Sequence, residues 1–285
     1  MGTKSKIRQD GTFTIGTLLP FGAMVTGMEF SSDVTISELS ELRRLLNEHH
    51  VLVFRGHRAP KDSEYVRFLR HFGELSTNEA VDPGYLRPGF PEIIVISNIV
   101  ENGKKIGAAQ DVKGLDWHTD YSWQDRVSVA GALESVETPH SGGETCFVNM
   151  YAVYEALEPA LRTKVDGLRA LHEIKGTELR DASAEHPLVA TNPISGRRAL
   201  YINPHFTTKL IGIDEGEGER LLLRLIDISM SSQFLYKHSW QLSDLVLWDQ
   251  IGLIHARMPY RENERRYMRQ ITVLAEDASA PWRSH

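Results

Sequence analysis

The chain has 285 residues, 41% of them apolar and 25% charged, which is long enough for a large buried core and ordinary for a globular protein. A formal net charge of −6 with no basic block counts against nucleic acid as a partner, because phosphate binding needs a basic face. The single cysteine, Cys146, excludes an internal disulfide and a cysteine-built zinc site, and no stretch approaches the roughly 18 apolar residues of a membrane helix.

The opening MGTKSKIRQDGTF carries charges but no apolar run, so no signal peptide is expected. Lys6 stands where N-myristoylation needs Ser or Thr. A cytoplasmic location follows as the expectation. With no internal repeat and no low-complexity linker, one domain over 1–285 is expected.

Taken in chain order, 35–50 (TISELSELRRLLNEHH) predicts an amphipathic helix, with Ile36, Leu39, Leu42, Leu45 and Leu46 on one face. His49 and His50 end it, where an imidazolium would suit the helix dipole. VLVFRG (51–56) predicts a buried strand, SEYVRFLRHFG a second helix ended by Gly73, and EIIVISNI (92–99) another strand. VSVAGALESV reads as strand, and the Gly-Gly turn of SGGETCFVNM feeds a strand from Glu144. MYAVYEALEPALRTKVDGL reads as helix broken or restarted at Pro159. RALYINPHFTTKLIGI is strand-like, GEGERLLLRLIDISM helical, and DLVLWDQ, LIHARM and RQITVLAE read as short strands. Strands without a regular βαβ rhythm favour a β-sandwich or barrel with helical decoration over a doubly wound sheet.

The stretch LDWHTDYSW places His118 and Asp120 two residues apart. On a strand both point to one face and can grip one metal ion, although a lone His-x-Asp is more often a hydrogen-bonded surface pair, since the tripeptide is common by chance. His255, in LIHARM after DLVLWDQIG, is delivered by a strand into an apolar setting. In NERRYMRQITV, Arg266, Met268 and Gln270 share one strand face while Arg265, Tyr267 and Arg269 share the other. Either Arg266 or Arg269 is therefore expected inward, and a buried guanidinium demands an anion. That anion is a protein carboxylate or a ligand carboxylate.

Together these marks resemble the taurine dioxygenase family of Fe(II)- and 2-oxoglutarate-dependent oxygenases. His118-x-Asp120 is followed by Gly142-Gly143-x-Thr145, with Thr145 25 residues past Asp120. His255 follows Trp248-Asp249, and Arg266 lies 11 residues beyond it. FGAMVTGMEFS, HHVLVFRG and RHFGEL extend the resemblance over nearly the whole chain. It implies a mainly β double-stranded β-helix, a cupin-like jelly roll with helices outside. It also implies Fe(II) on His118, Asp120 and His255, with 2-oxoglutarate on Arg266 and Thr145 and dioxygen as second cosubstrate. Oxidative decarboxylation to succinate and carbon dioxide would then drive C–H oxidation of a small organic substrate. Family members often form dimers or tetramers, which makes a homo-oligomer an expectation by analogy.

One departure concerns the substrate. Sulfonate-cleaving members carry a second arginine four residues after the 2-oxoglutarate arginine, where this chain has Gln270, so taurine is not the expected substrate. Gln270, Tyr121 and Trp123 are candidate substrate residues, as are Tyr85 and Arg87 within an expected lid spanning 76–115. Desaturation or cyclisation in place of hydroxylation, and a non-catalytic 2-oxoglutarate sensor, are the alternatives this reading leaves open.

Overall fold

The computed structural model describes residues 13–79, 81–109, 111–176, 181–192, 195–279 and 282. The expectations placed on 1–12, and the readings at residues 80 and 110 of the lid stretch, lie outside the described residues.

The first helix, Ile36–His49, starts where the Glu38 amide donates to the Thr35 hydroxyl at 3.2 Å and the Thr35 amide donates to the Glu38 carboxylate at 2.8 Å. It stops because His50 takes a left-handed conformation with φ of 65°, which turns the chain straight into the strand Val51–Arg55. The expected imidazolium at this helix end is corrected at His50. The ring is buried, its Nε2 accepts from Arg197 Nη1 at 2.8 Å, and burial pushes its pKa down to about 4, so it is neutral.

Eight strands form the large sheet, in the order Thr14–Thr17, Ala23–Thr26, Val51–Arg55, Leu245–Asp249, Ser128–Glu137, Tyr267–Leu274, Phe90–Ser97 and Leu86–Arg87. All neighbours are antiparallel except Ala23–Thr26 beside Val51–Arg55. Alternation along the strands builds two cores. Leu52, Phe54, Ala132, Leu245, Leu247 and Ile271 point to the helices, meeting Leu42, Leu45, Tyr65 and Leu69. Val51, Val53, Leu133, Val246, Trp248 and Met268 point the other way, onto Phe147, Tyr236 and Leu253 of a four-stranded sheet. That smaller sheet runs Leu235–His238, Thr145–Asn149, Leu253–Arg257 and Leu115–His118.

The molecule is thus mainly β, two open sheets stacked face to face as a jelly roll rather than one closed barrel. The predicted long middle helix divides into Met150–Ala156 and Pro159–Val165, with Pro159 opening the second piece. RALYINPHFTTKLIGI also divides, into Arg198–Leu200 and Thr207–Ile211, around a turn in which the Asn203 side chain accepts from the Phe206 amide at 2.7 Å. The stretch 76–115 is not one loop. Phe90–Ser97 within it is a strand of the large sheet paired with Tyr267–Leu274, so only its flanks can cover a site.

Candidate metal centre and cosubstrate pocket

The small sheet brings the two histidines together. His255 pairs directly with His118 across the Leu253–Arg257 and Leu115–His118 strands, leaving the ring centroids 4.1 Å apart. Asp120 arrives differently from the expectation of a strand face shared with His118. The strand ends at His118, and Asp120 lies in the following turn, whose Tyr121 has φ of 62°. Thr119 Oγ1 donates to the Leu253 carbonyl at 3.2 Å and Ser128 Oγ to the Asp120 carbonyl at 2.6 Å, which pins the turn against both sheets. One ligand atom from each of His118, Asp120 and His255 then falls within 4.8 Å of the others.

The protonation states suit a divalent metal. His118 Nδ1 lies 2.7 Å from the Asp116 carbonyl, which makes that nitrogen a donor and turns Nε2 toward Asp120 Oδ1 at 3.4 Å. Burial, with His118 alongside, pushes His255 down to about 3, so it stays neutral. Burial works against the Asp120 carboxylate, but His255, His118 and the Gln250 amide overcome it and hold the pKa at about 2. Two neutral imidazoles and one carboxylate are the facial donor set of non-heme Fe(II) sites.

The cavity beside these three is lined by Thr145, Arg266, Gln270, Leu133, Trp248 and Ala256 among others. Arg266 and Arg269 are both inward, against the expectation that only one would be, because the strand Tyr267–Leu274 is covered on both faces. Their partners separate them. Arg269 donates to Glu134 at 2.8 Å, Asp62 at 2.6 Å and the Pro60 carbonyl at 2.7 Å. Arg266 is 2% exposed, its Nε has no partner, and no carboxylate among the described residues pairs with it. Burial and the nearby Arg257 push its pKa down to about 9. A buried cation without a protein anion, facing a cavity, has the chemistry to take up a carboxylate. Thr145 Oγ1 already accepts from Trp240 Nε1 at 3.1 Å, so its own proton is free to donate into the cavity.

The Gly142-Gly143 pair makes this approach possible. Both residues have positive φ, and a Cβ at Gly143 would lie 2.8 Å from Pro139 and 3.4 Å from Arg266 Cδ.

Other candidate residues are placed elsewhere. Tyr121 turns its hydroxyl to Asn78 Oδ1 at 2.9 Å and Ser76 Oγ at 2.7 Å, tying the metal turn to the start of the expected lid. Trp123 stacks with Tyr121 and packs on Phe206 at 4.3 Å, and Phe206 in turn is 6.1 Å from the His118 ring. Arg87 is held by Asp62 at 2.8 Å and, with Tyr85, is not among the residues lining the cavity. Gln270 does line it, and its amide donates to Asp120 Oδ2 at 3.0 Å. Sequence reasoning missed Gln250 and Arg257. Arg257 clasps the carbonyls of Ala109, Asp111 and Gly114, and its one sequence signal is that it shares a strand face with His255.

Comparison with known proteins gives the same answer as the geometry. Pentalenolactone F synthase of Streptomyces arenae is 37% identical over 93% of this chain and 96% of its own length. The alpha-ketoglutarate-dependent 2,4-dichlorophenoxyacetate dioxygenase of Cupriavidus pinatubonensis is 33% identical over 89% and 94%. A crystal structure of a taurine dioxygenase from Burkholderia xenovorans superposes with a TM-score of 0.81 at 27% identity, covering 93% of this chain and 90% of that one. The family described as taurine catabolism dioxygenase TauD, TfdA matches residues 14–272, and the chain belongs to that family of alpha-ketoglutarate-dependent dioxygenases.

Proposed function

We propose that this dioxygenase couples decarboxylation of 2-oxoglutarate (alpha-ketoglutarate) to succinate and carbon dioxide with hydroxylation of a small, non-sulfonate organic substrate. His118, Asp120 and His255 are its Fe(II) ligands. The observation that carries the reading is Arg266, buried and without a protein carboxylate in the same cavity as those three residues. The bound metal with 2-oxoglutarate and dioxygen would supply the oxidising chemistry.

The protein's own residues do the positioning. Arg266 meets the far carboxylate of 2-oxoglutarate with its planar fork, and Thr145 donates its hydroxyl proton to the same group. Leu133, Trp248 and Ala256 exclude water around them. The Asp116 carbonyl holds the His118 ring in the tautomer that presents Nε2. At the position of the sulfonate-binding arginine stands Gln270, a neutral amide already engaged with Asp120, which supports a substrate other than taurine. The relatives named for pentalenolactone F and for 2,4-dichlorophenoxyacetate indicate that the family accepts dissimilar carbon skeletons, so the substrate is not carried over from either. The flanks 76–89 and 98–114 are the proposed substrate cover, supported by the Tyr121 contacts to Ser76 and Asn78 and the Arg257 clasp on Ala109 and Gly114.

The test is succinate formation by purified protein with Fe(II), ascorbate and 2-oxoglutarate against a panel of terpenoid, aryloxyalkanoate and amino-acid-derived compounds. At least one should stimulate succinate formation and gain an oxygen atom, with taurine inactive. Taurine turnover, or no consumption of 2-oxoglutarate with any compound, would refute the proposal.

A further inference from the structure

Asp120 Oδ2 is the meeting point of two carboxamides. Gln250 Nε2 donates to it at 2.7 Å and Gln270 Nε2 at 3.0 Å. The amides come from opposite sides of one strand. Gln250 follows Leu245–Asp249 and Gln270 belongs to Tyr267–Leu274, and both strands pair with Ser128–Glu137 between them. The backbone holds each in place, through the Gln250 amide on the Val129 carbonyl at 3.1 Å and the register of Gln270 opposite Leu133.

The seat for Gln250 is built by an omission. A Cβ at Gly131 would lie 2.4 Å from the Trp248 ring and 2.7 Å from Gln250 Nε2, so only glycine lets both side chains reach their places. Gln250 is fully buried, and its Oε1 has no partner. The orientation is not arbitrary, since an amide oxygen turned toward a carboxylate would be repelled.

We propose that Gln250 and Gln270 act as a paired amide clamp that keeps Asp120 a one-oxygen metal ligand. This rests on the reading of His118, Asp120 and His255 as the Fe(II) site. Two N–H groups occupy Oδ2, which lies 3.8 Å from His255 Nε2, and leave Oδ1, 3.4 Å from His118 Nε2, as the oxygen with no amide donor and so the one free to ligate. The consequence is one of coordination number. Three protein ligands would leave a six-coordinate metal three positions, which 2-oxoglutarate and dioxygen would fill. A carboxylate that swung to bind through both oxygens would take one of them. The donors suit the task because an amide N–H orients the carboxylate without competing for the metal. Gln270 is thereby a positioning residue, and its amide N–H is withdrawn from the substrate.

The experiment is anaerobic titration with Co(II), read by its visible absorption, on wild type, Gln270→Met, Gln250→Met and the double variant, with apo thermal melts alongside. Gln270 is only half buried, so Gln270→Met keeps the test available if changing Gln250 prevents folding. Each single variant should bind Co(II) about 10–100-fold more weakly, the usual cost of losing an outer-shell partner, with an altered absorption band. Apo melting of Gln270→Met should stay near wild type. Co(II) affinity within twofold of wild type and an unchanged band in Gln270→Met, or a lowered melt with unchanged affinity, would overturn the clamp while leaving the metal site intact. Failure of wild type to bind Co(II), or retained binding in His118→Ala, would overturn the metal reading and the clamp with it.

Discussion

Replacing Arg266 with methionine should stabilise the ligand-free protein and abolish its response to 2-oxoglutarate. The guanidinium is 2% exposed and pairs with no carboxylate among the described residues, and burial brings its pKa from an ordinary 12.5 to about 9. At 1.36 kcal/mol per pH unit, holding that charge at neutral pH costs the apo fold on the order of 4–5 kcal/mol. The sign follows from proton counting: the unfolded chain binds the proton more tightly, so the cost is fully present at pH 7 and fades only as pH rises past 9. Methionine fills much of the volume without the charge, so the apo variant should melt higher, by several degrees for each ~2 kcal/mol recovered. In wild type with Mn(II) under argon, 2-oxoglutarate at about 100 times its dissociation constant should add about 2.7 kcal/mol. In Arg266→Met that increment should vanish, because losing one partner of a buried charge pair costs about 2–5 kcal/mol of binding. Scanning fluorimetry with and without the diacid reads both effects. A variant that melts well below wild type yet keeps the full 2-oxoglutarate shift would refute the assignment of Arg266 as an uncompensated carboxylate anchor.

The neighbouring arginine should behave oppositely. Arg269→Met leaves Glu134, which is fully buried, without its main partner, and should destabilise by about 3–5 kcal/mol in urea unfolding, whereas Arg87→Ala at a half-exposed pair should change stability by under about 1 kcal/mol. Equal effects at the two sites would contradict the distinction. His118→Ala should abolish stoichiometric Fe(II) or Co(II) binding with the fold retained by circular dichroism, and a variant that still binds one metal would remove His118 from the ligand set. Burial holds His50 at about 4 and His172 and His255 at about 3, so all three must charge on unfolding in mild acid. Stability should fall as pH drops below 6.5, by on the order of 6 kcal/mol in total at pH 5 without metal, and a flat urea midpoint between pH 7 and 5 would show that these rings are not buried and neutral.

Much of this site is legible in the primary structure because its parts are short and local. His118-x-Asp120, the Gly-Gly-x-Thr145 turn and His255 after Trp248-Asp249 are each fixed within a few residues, and their separations set where in the jelly roll each can lie. Helix boundaries follow from capping chemistry at Thr35 and Pro159. The short strands Arg169–Ile174 and Ala182–Pro187 carry no clear period in their residue types, since their pairing is mutual rather than intrinsic.

What residue types and spacing determine, then, is which groups can meet a metal and a dicarboxylate, because those identities and the local turns are written in the chain itself. Only the tertiary structure decides how the groups are used. It assigns Arg269 to Glu134 and leaves Arg266 without a carboxylate partner among the described residues, places Asp120 in a turn rather than on a strand, and spends Gln270 and Gln250 on one carboxylate oxygen. These outcomes depend on which strands stand side by side and on which face of each is covered. Both are settled by packing between segments more than 100 residues apart, as for Gln250 and Gln270 on Asp120, and no local pattern encodes it.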